Sequence, residues 1–257
     1  MKLIVCGSNG RMGTFVCRLA AENPSMEVVA GVDLASHGSA FPVFADINEC
    51  TMSADVVISF LSPTAEALNL AMLKFCATRA IPLVLCTTGI EKLEPEIKIA
   101  AEKVAILRSG NMSLGINLLA MLLKRVSKVL HDSGFDIEIT ERHHNQKLDA
   151  PSGTALLLAD AVNEPFSGGL RYVNDRSQSH EARTRDEIGL HALRGGTIIG
   201  EHSVVFAGYN EVVEFKHSAQ SRELFAVGAL KAAEFLRGKP AGLYSMIDVL
   251  EGSGVSI

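Results

Sequence analysis

Residues 3–13 read Leu3-Ile4-Val5-Cys6-Gly7-Ser8-Asn9-Gly10-Arg11-Met12-Gly13, an apolar run followed at once by three closely spaced glycines. The apolar run is typical of a buried strand, and residues 11–22 favour a helix directly after the turn. The first N–H groups of a helix have no partner within it, so a helix that begins at a glycine turn can bind an anion. The glycine spacing is G-x-x-G-x-x-G, whereas the usual dinucleotide-binding pattern is G-x-G-x-x-G. The turn alone is therefore also compatible with a strand–helix connection that binds no ligand.

An acidic residue supports the nucleotide interpretation. Asp33 ends the second apolar run, about 20 residues after Gly13, where a carboxylate can accept hydrogen bonds from an adenosine ribose. Small polar loops follow the next three apolar runs, at the carboxyl ends of strands where ligands bind in such sheets. These loops are Ser62-Pro63-Thr64, Thr87-Thr88-Gly89 and Ser109-Gly110-Asn111-Met112. We therefore predict a dinucleotide site.

The first 110 residues alternate apolar runs with helix-like segments, which predicts a parallel sheet covered on both faces, a Rossmann-type doubly wound fold. The helix-like segments lie near 11–22, 64–77 and 91–102. The strand-like runs are Leu3–Cys6, Val28–Val32, Val56–Phe60, Leu83–Cys86 and Ala105–Leu107.

The pattern changes after residue 113, and we predict a second domain over residues 114–221. A long amphipathic helix over Gly115–Leu130 precedes strand-like runs with short turns, which favour an α+β domain with a mixed or antiparallel sheet. Residues 164–185 lack a pattern and are predicted as a long loop or an arm, residues 222–237 as a final helix and Leu243–Leu250 as an apolar tail. The strand-like runs are Asp136–Glu141, Ile188–Leu193, Thr197–Phe206 and Glu211–Ser218.

Composition excludes several classes of function. The 257 residues are 47% hydrophobic and 21% charged, with a net charge of -5, which is ordinary for a globular protein and unlike a nucleic-acid surface. No apolar run reaches the length of a membrane span, and the N-terminus lacks the pattern of a secretory signal. The five cysteines form no C-x-x-C pair, which indicates reduced thiols in a cytoplasmic protein and gives no support for a metal site.

A polar cluster in the second half of the chain contains side chains that can transfer protons. Residues 143–154 read His143-His144-Asn145-Gln146-Lys147-Leu148-Asp149-Ala150-Pro151-Ser152-Gly153-Thr154. Two imidazoles and an ammonium precede a helix start at which the N–H groups of Gly153 and Thr154 should be open to an anion. Taken alone, adjacent histidines are usually surface residues. Proton donors beside an anion-binding turn nevertheless suit an enzyme that acts on a small carboxylate.

This cluster resembles a known family. From Glu141 to Thr154 the chain matches the signature E-x-H-H-x-x-K-x-D-A-P-S-G-T of the 4-hydroxy-tetrahydrodipicolinate reductase (dihydrodipicolinate reductase) family of diaminopimelate and lysine biosynthesis. The resemblance extends over nearly the whole chain. It includes Gly10-Arg11-Met12-Gly13, Thr87-Thr88-Gly89, the Asn111 loop and Gly195-Gly196 with Gly200-Glu201-His202.

The resemblance implies an NAD(P)H-dependent reductase in which a cyclic dicarboxylate loses its 4-hydroxyl as water and receives hydride at C4. It implies that His143 is the acid/base residue and Lys147 a proton donor, with a homotetrameric assembly and a first domain, 1–113, completed by 222–257. Substrate carboxylates are expected at His144, Ser152, Gly153 and Thr154. Nucleotide contacts are expected from Gly7, Ser8, Asn9, Gly10, Arg11, Met12, Asp33, Cys86, Thr87, Thr88, Ser109, Gly110, Asn111 and Met112.

One position bears on the choice of cofactor. Some members of the family carry a basic residue directly after the ribose-binding acid, whereas Leu34 follows Asp33 here. We therefore expect NADH to be preferred and NADPH still to be used, although Arg11 or a protonated His37 could offset Asp33 and give dual use. Two other functions stay open: another two-domain amino-acid dehydrogenase, and a non-catalytic dinucleotide sensor.

Overall fold

The computed structural model describes residues 1–34, 38–177 and 179–255, so the predicted charge contribution of His37 falls outside the described residues. The chain forms two compact units. The first contains Met1–Leu114 and the segment from Arg222 onward, and the second contains Gly115–Ser221.

The strands and helices of the described residues are numbered along the chain. The strands are β1 (Lys2–Cys6), β2 (Glu27–Val32), β3 (Val43–Phe44), β4 (Val56–Ser59), β5 (Leu83–Leu85), β6 (Ala105–Arg108), β7 (Asp136–His143), β8 (Arg171–Val173), β9 (Glu187–Arg194), β10 (Gly200–Gly208), β11 (Glu211–Ala219) and β12 (Gly242–Tyr244). The α-helices are α1 (Arg11–Glu22), α2 (Glu66–Arg79), α3 (Glu94–Ala101), α4 (Leu114–Asp132), α5 (Gly153–Asn163), α6 (Glu223–Leu236) and α7 (Met246–Gly252).

The first unit is built on a parallel sheet of order β12-β6-β5-β4-β1-β2-β3. Successive residues of a strand point to opposite faces, and β1 shows how both faces are covered. Leu3 and Val5 pack with α1, α6 and α7, whereas Ile4 and Cys6 pack with α2 and α3. Each such side chain, when fully buried, contributes roughly 1.5–3 kcal/mol to stability. The doubly wound fold predicted for this region is confirmed.

The second unit has a mixed sheet of order β11-β10-β7-β9-β8, in which β7 is central. Strands β10 and β11 run antiparallel to their neighbours, whereas β7, β9 and β8 are parallel. One face packs on α4 and α5 through side chains such as Ile139, Leu158 and Phe206. On the edge strand β11, exposed and half-buried residues alternate, and Val212 is 65% exposed. The predicted α+β unit with a mixed sheet is confirmed.

Three sequence predictions were wrong in detail. Residues 164–185, predicted as a loop, contain a 3-10 helix (Glu164–Phe166) and strand β8. The apolar tail predicted over residues 243–250 comprises β12 and α7, and β3 was missed. Strands β3, β8 and β12 are two or three residues long, too short to show a period of alternation, and they form only because a longer strand offers them an edge.

Candidate active site

The glycine turn of the first unit brings α1 close against the end of β1. Gly7 has a φ of +76°, and a Cβ there would lie 2.9 Å from the Phe60 carbonyl oxygen. A Cβ on Gly13 would lie 2.0 Å from the Gly7 oxygen, so a side chain at Gly13 would push α1 away from the turn, and one at Gly7 would push against the backbone that follows β4. Gly10 is the N-cap of α1 and makes no side-chain cap. The turn therefore presents a helix N-terminus that suits a phosphate group.

The structure ties Asp33 to this turn. The Asn9 N–H donates to Asp33 Oδ2 over 3.0 Å, which holds the half-buried carboxylate beside the glycine loop. Ser8 and Asn9 also line a cavity of about 680 Å³. Arg11 is exposed at the first position of α1. Gly7 to Met12 and Asp33, predicted as nucleotide contacts, thus lie at one end of the parallel sheet.

The loops after β4, β5 and β6 surround a second cavity of about 370 Å³. Ser109 and Asn111 shape the third loop, because Ser109 Oγ donates to the Asn111 oxygen at 2.8 Å and Asn111 Oδ1 accepts the Ser113 N–H at 2.9 Å. Burial raises the pKa of the Cys86 thiol well above its usual range, so this residue remains uncharged. Six predicted nucleotide contacts line the cavity: Met12, Cys86, Thr87, Thr88, Gly110 and Met112. The structure adds Phe60, Leu61 and Phe225, which the sequence indicated only as apolar residues.

In the second unit, β7 ends at His143, and a buried carboxylate organises the site there. Glu141 is 1% exposed. Its Oε2 lies 2.6 Å from His143 Nδ1, and Arg194 donates to both carboxylate oxygens at 2.7 Å. Its Oε1 also accepts the Ser152 N–H at 3.0 Å, which links the strand end to the start of α5.

These contacts determine the protonation states of Glu141 and His143. Burial raises the pKa of Glu141, but Arg194 and His143 more than compensate, and the net pKa lies below the usual range. Burial lowers the pKa of His143, and the hydrogen bond to Glu141 only partly offsets this. An ionised carboxylate can only accept a hydrogen bond, so a neutral His143 carries its proton on Nδ1. Nε2 is left with a lone pair that can take a proton.

A second buried histidine lies beside His143. The rings of His143 and His202 form an edge-to-face pair with centroids 5.2 Å apart. Burial lowers the pKa of His202 to about 4, so this ring is neutral near pH 7. His202 Nε2 lies 3.1 Å from Ser152 Oγ. Ser152 is the N-cap residue of α5, and its Oγ accepts the Ala155 N–H. The Ser152 hydroxyl is therefore used to build the turn, and the residue is 1% exposed.

The predicted proton donor and the predicted anion-binding turn meet at Asp149. Lys147 Nζ lies 2.8 Å from Asp149 Oδ1. The Lys147 ammonium, together with the N–H groups of Asp149 and Gly153, holds the pKa of the Asp149 carboxyl below its usual range. A carboxylate is thus accommodated between the lysine and the start of α5. Gly153 is exposed, while Thr154 and His144 are half-buried.

Sequence reasoning assigned no role to Glu141, Arg194, Asp149 or His202. The signal for Glu141 was available, because residues two apart on a strand share a face and Glu141 precedes His143 by two. Arg194 pairs with His143 across β7 and β9, and His202 pairs with Glu141 across β7 and β10. Those juxtapositions depend on strand register, which the sequence alone does not specify.

Two absences apply to the described ranges, 1–34, 38–177 and 179–255. Within them no group of three or more His, Cys, Asp or Glu residues could hold a metal ion. None of the helices described there is long and apolar enough to cross a membrane.

Comparisons with known proteins agree across the whole chain. Residues 1–112 match the family model "Dihydrodipicolinate reductase, N-terminus", and residues 115–250 match "Dihydrodipicolinate reductase, C-terminus". The chain is 52% identical over 252 residues to the 4-hydroxy-tetrahydrodipicolinate reductase of Caldanaerobacter subterraneus subsp. tengcongensis, with 98% of each protein covered. It is 46% identical over 248 residues to that of Clostridium tetani, with 96% of this chain and 95% of the relative covered.

A solved structure shares the fold. A dipicolinate-bound dihydrodipicolinate reductase from Paenisporosarcina sp. TG-14 superposes with a TM-score of 0.80 at 23% identity, covering 96% of this chain and 98% of that one. The matches to both family models and the identity to full-length relatives lead to one conclusion: the chain belongs to the dihydrodipicolinate reductase family.

Proposed function

We propose that this protein is an NAD(P)H-dependent oxidoreductase that reduces 4-hydroxy-tetrahydrodipicolinate to tetrahydrodipicolinate in diaminopimelate and lysine biosynthesis. One observation carries the proposal: a neutral imidazole, held by Glu141, lies in the same loop region as a lysine and a helix start that already accommodates a carboxylate. In a chain that belongs to this family, that combination favours the reductase over an amino-acid dehydrogenase or a non-catalytic sensor.

The residues of the first unit fit a dinucleotide. A Cβ at Gly13 would meet the Gly7 oxygen and force α1 away from the turn, and Asp33 is fixed beside the turn to accept ribose hydroxyls. When bound, the dihydronicotinamide supplies the hydride for C4 of the ring, so that substrate, NAD(P)H and one proton give product, NAD(P)⁺ and water. The remaining steps are proton transfers, which side chains of the second unit can perform.

The two proton-transfer groups have different tasks. Elimination of the 4-hydroxyl needs a proton on the departing oxygen and removal of a proton from C5, the ring carbon between C4 and the imine carbon. Lys147, which is paired with Asp149, can protonate the oxygen. His143 Nε2, with its lone pair, can take the C5 proton. After hydride has reached C4, the same imidazolium can return a proton to C5. Such a positioned acid or base typically contributes about 10²–10⁴-fold.

The start of α5 is proposed to bind a substrate carboxylate. Asp149 shows which groups are available there, because its carboxylate meets Lys147 and the Gly153 N–H. A substrate carboxylate that displaced Asp149 would gain the Gly153 N–H together with Thr154 and His144, and it would release Lys147 from Asp149 to act on the departing oxygen. A hydrogen bond to a charged group contributes about 1.5–3 kcal/mol, and the helix N-terminus adds a favourable dipole.

We further propose that NADH is preferred over NADPH. The anchored carboxylate of Asp33 accepts ribose hydroxyls but repels a ribose phosphate. Leu34, which follows it, is 79% exposed and offers no compensating charge. Arg11 is the one cation of the glycine turn, and it would let NADPH bind more weakly without excluding it.

The assembly is proposed to be a cytoplasmic homotetramer. Strand β11 lies at the edge of its sheet, and Val212 on this strand is 65% exposed. An exposed sheet edge is a liability for a monomer, and association of subunits would cover it. The five free cysteines suit a reducing compartment.

The proposed function is tested by a coupled assay. Purified protein is mixed with NADH and with 4-hydroxy-tetrahydrodipicolinate generated enzymatically in the cuvette, and the absorbance of NADH is followed. We expect oxidation that depends on both substrate and enzyme, and inhibition by pyridine-2,6-dicarboxylate. Oxidation with an amino acid and NAD⁺ instead would support the dehydrogenase alternative, and cofactor binding without turnover would support the sensor.

A further inference from the structure

The carboxylate of Glu141 is the most enclosed charged group at the end of β7, and the chemistry proposed above does not use it directly. Four N–H donors converge on its two oxygens: His143 Nδ1, the Ser152 N–H and both terminal nitrogens of Arg194. Arg194 also donates to the Asp149 carbonyl oxygen at 2.6 Å. The ion pair of buried Glu141 with half-buried Arg194 therefore connects the proton-transfer histidine, the anion-binding turn and the segment that carries Lys147.

We propose that Glu141, clamped by Arg194, is a positioning residue that fixes the Nδ1–H tautomer of His143 and thereby leaves Nε2 as the nitrogen that exchanges protons with the substrate. The inference rests on the proposed function, in which His143 is the acid/base group. It adds the cause of the tautomer and assigns Arg194 the role of holding Glu141 ionised.

The geometry requires a carboxylate at this position. An ionised carboxylate offers only acceptors, which matches the four donors around it. An amide of the same shape would present an NH₂ group to at least one of those donors. The Ser152 N–H cannot give up its proton, so the amide oxygen would face Ser152 and the NH₂ group would face His143. Nδ1 would then have to give up its proton, and the imidazole would carry it on Nε2 instead. A base that already holds a proton on the reacting nitrogen cannot take one from the ring.

A matched site on the same strand shows what a merely structural pair looks like. Glu138 Oε2 lies 2.7 Å from His191 Nε2, and Glu138 Oε1 accepts from Arg183 Nε at 3.2 Å. This pair likewise joins a glutamate of β7 to a histidine and an arginine. It is well separated in sequence from the loop of residues 144–154. Glu138→Gln is therefore the control for any general effect of removing a carboxylate from β7.

The test combines a spectroscopic readout with kinetics. Protein labelled with ¹⁵N-histidine is examined by NMR, with His143→Asn used to assign the His143 signals. In the unaltered protein we expect a protonated Nδ1 and an unprotonated Nε2. In Glu141→Gln we expect the Nε2–H tautomer, a kcat lower by about 10–100-fold, as for other carboxylates that orient a functional imidazole, and an unchanged KM for NADH.

A pH profile separates positioning from structural support. The charged or titratable groups that face His143 are Glu141, Lys147, Arg194 and His202. Only Glu141 favours the imidazolium, so its loss should move the acid limb of kcat to lower pH. Arg194→Lys keeps the charge but loses the two-pronged contact, and it should give a smaller fall in kcat with the tautomer retained.

Each outcome decides the proposal. It is overturned if Glu141→Gln keeps the Nδ1–H tautomer, or if its kcat stays within twofold of that of Glu138→Gln. A fall in kcat without a shift of the acid limb shows a structural role and also overturns it. If Glu141→Gln does not fold, Arg194→Lys is the variant that tests the proposal. Full activity of Arg194→Lys would refute the role of Arg194 in holding Glu141. Because NMR reports the tautomer without turnover, inactivity of the unaltered protein would contradict the proposed function and leave the tautomer result to be judged separately.

Discussion

Replacing Asp33 with asparagine should remove the preference for NADH. Asp33 is held by the Asn9 N–H at 3.0 Å and cannot turn away from the ribose without losing that bond. Two unit charges about 4 Å apart at an effective dielectric constant of 20 repel by about 4 kcal/mol. Solvent reaches this region, as the 79% exposure of Leu34 shows, and hydration reduces the penalty for NADPH to about 1–2 kcal/mol. That difference corresponds to roughly tenfold in favour of NADH.

The Asp33→Asn variant keeps the size of the side chain and removes its charge. We expect kcat/KM with NADPH to rise about tenfold, because the repulsion disappears. With NADH it should fall by about fivefold, because hydrogen bonds to a neutral acceptor are weaker by about 1 kcal/mol than those to a charged one. The ratio of the NADH efficiency to the NADPH efficiency should therefore drop about 50-fold, from about 10 to about 0.2.

The assay measures kcat/KM for both cofactors at 0.05 M and 0.5 M salt. In the unaltered protein the preference should shrink at high salt, since screening weakens the repulsion. Glu102→Gln is the matched control, because it removes an exposed carboxylate at the end of α3, away from both cavities, and should leave the ratio unchanged. A clear preference for NADPH at physiological salt, or an unchanged ratio in Asp33→Asn, would refute the reasoning and leave Arg11 as the dominant contact.

The remaining predictions concern the second unit. His143→Ala and Lys147→Ala should each lower kcat by roughly 10²-fold or more. The Kd for NADH, measured by fluorescence, should stay within twofold of that of the unaltered protein. Loss of NADH binding with normal single-turnover chemistry would contradict the assignment of these two residues to proton transfer. Thr154→Val should raise KM for the substrate by about tenfold, because a hydrogen bond to a carboxylate is lost, and pyridine-2,6-dicarboxylate should compete with the substrate; an unchanged KM and no inhibition would count against the α5 site. Gly200→Ala should lower kcat by about tenfold or more, because a Cβ there would lie 3.0 Å from His143 Nε2. Gly195→Ala is the control and should leave kcat unchanged, because a Cβ there would have nothing within 4 Å. Equal activity of both variants would contradict the role of Nε2. Light scattering should show a tetramer of the 27.5 kDa chain, and a stable monomer would contradict the proposed assembly.

The sequence was informative where physical patterns are strong. Fully buried parallel strands appear as continuous apolar runs, so β1, β2, β4, β5 and β6 were all predicted. The glycine turn could be interpreted because only glycine tolerates the approach of the Gly7 oxygen to Gly13. Strands β3, β8 and β12 were not predicted because two or three residues are too few to show an alternation of apolar and polar positions.

The candidate site was predicted only in part, for a related reason. The family signature placed His143, Lys147 and the turn at Ser152 in one segment. The groups that set their chemistry come from other strands: Arg194 from β9 and His202 from β10, each brought into place by register. Asp149 lay within the signature, but its carboxylate meets Lys147 only because the loop folds back on the start of α5.

The central claim is that this protein delivers hydride to C4 of a cyclic dicarboxylate, and isotope transfer tests it most directly. The protein is incubated with 4-hydroxy-tetrahydrodipicolinate and NADH that carries deuterium at both positions of the nicotinamide C4. The product is then examined by NMR and mass spectrometry. The account predicts tetrahydrodipicolinate with one deuterium, located at C4. A product without deuterium, or with deuterium at another carbon, would contradict it.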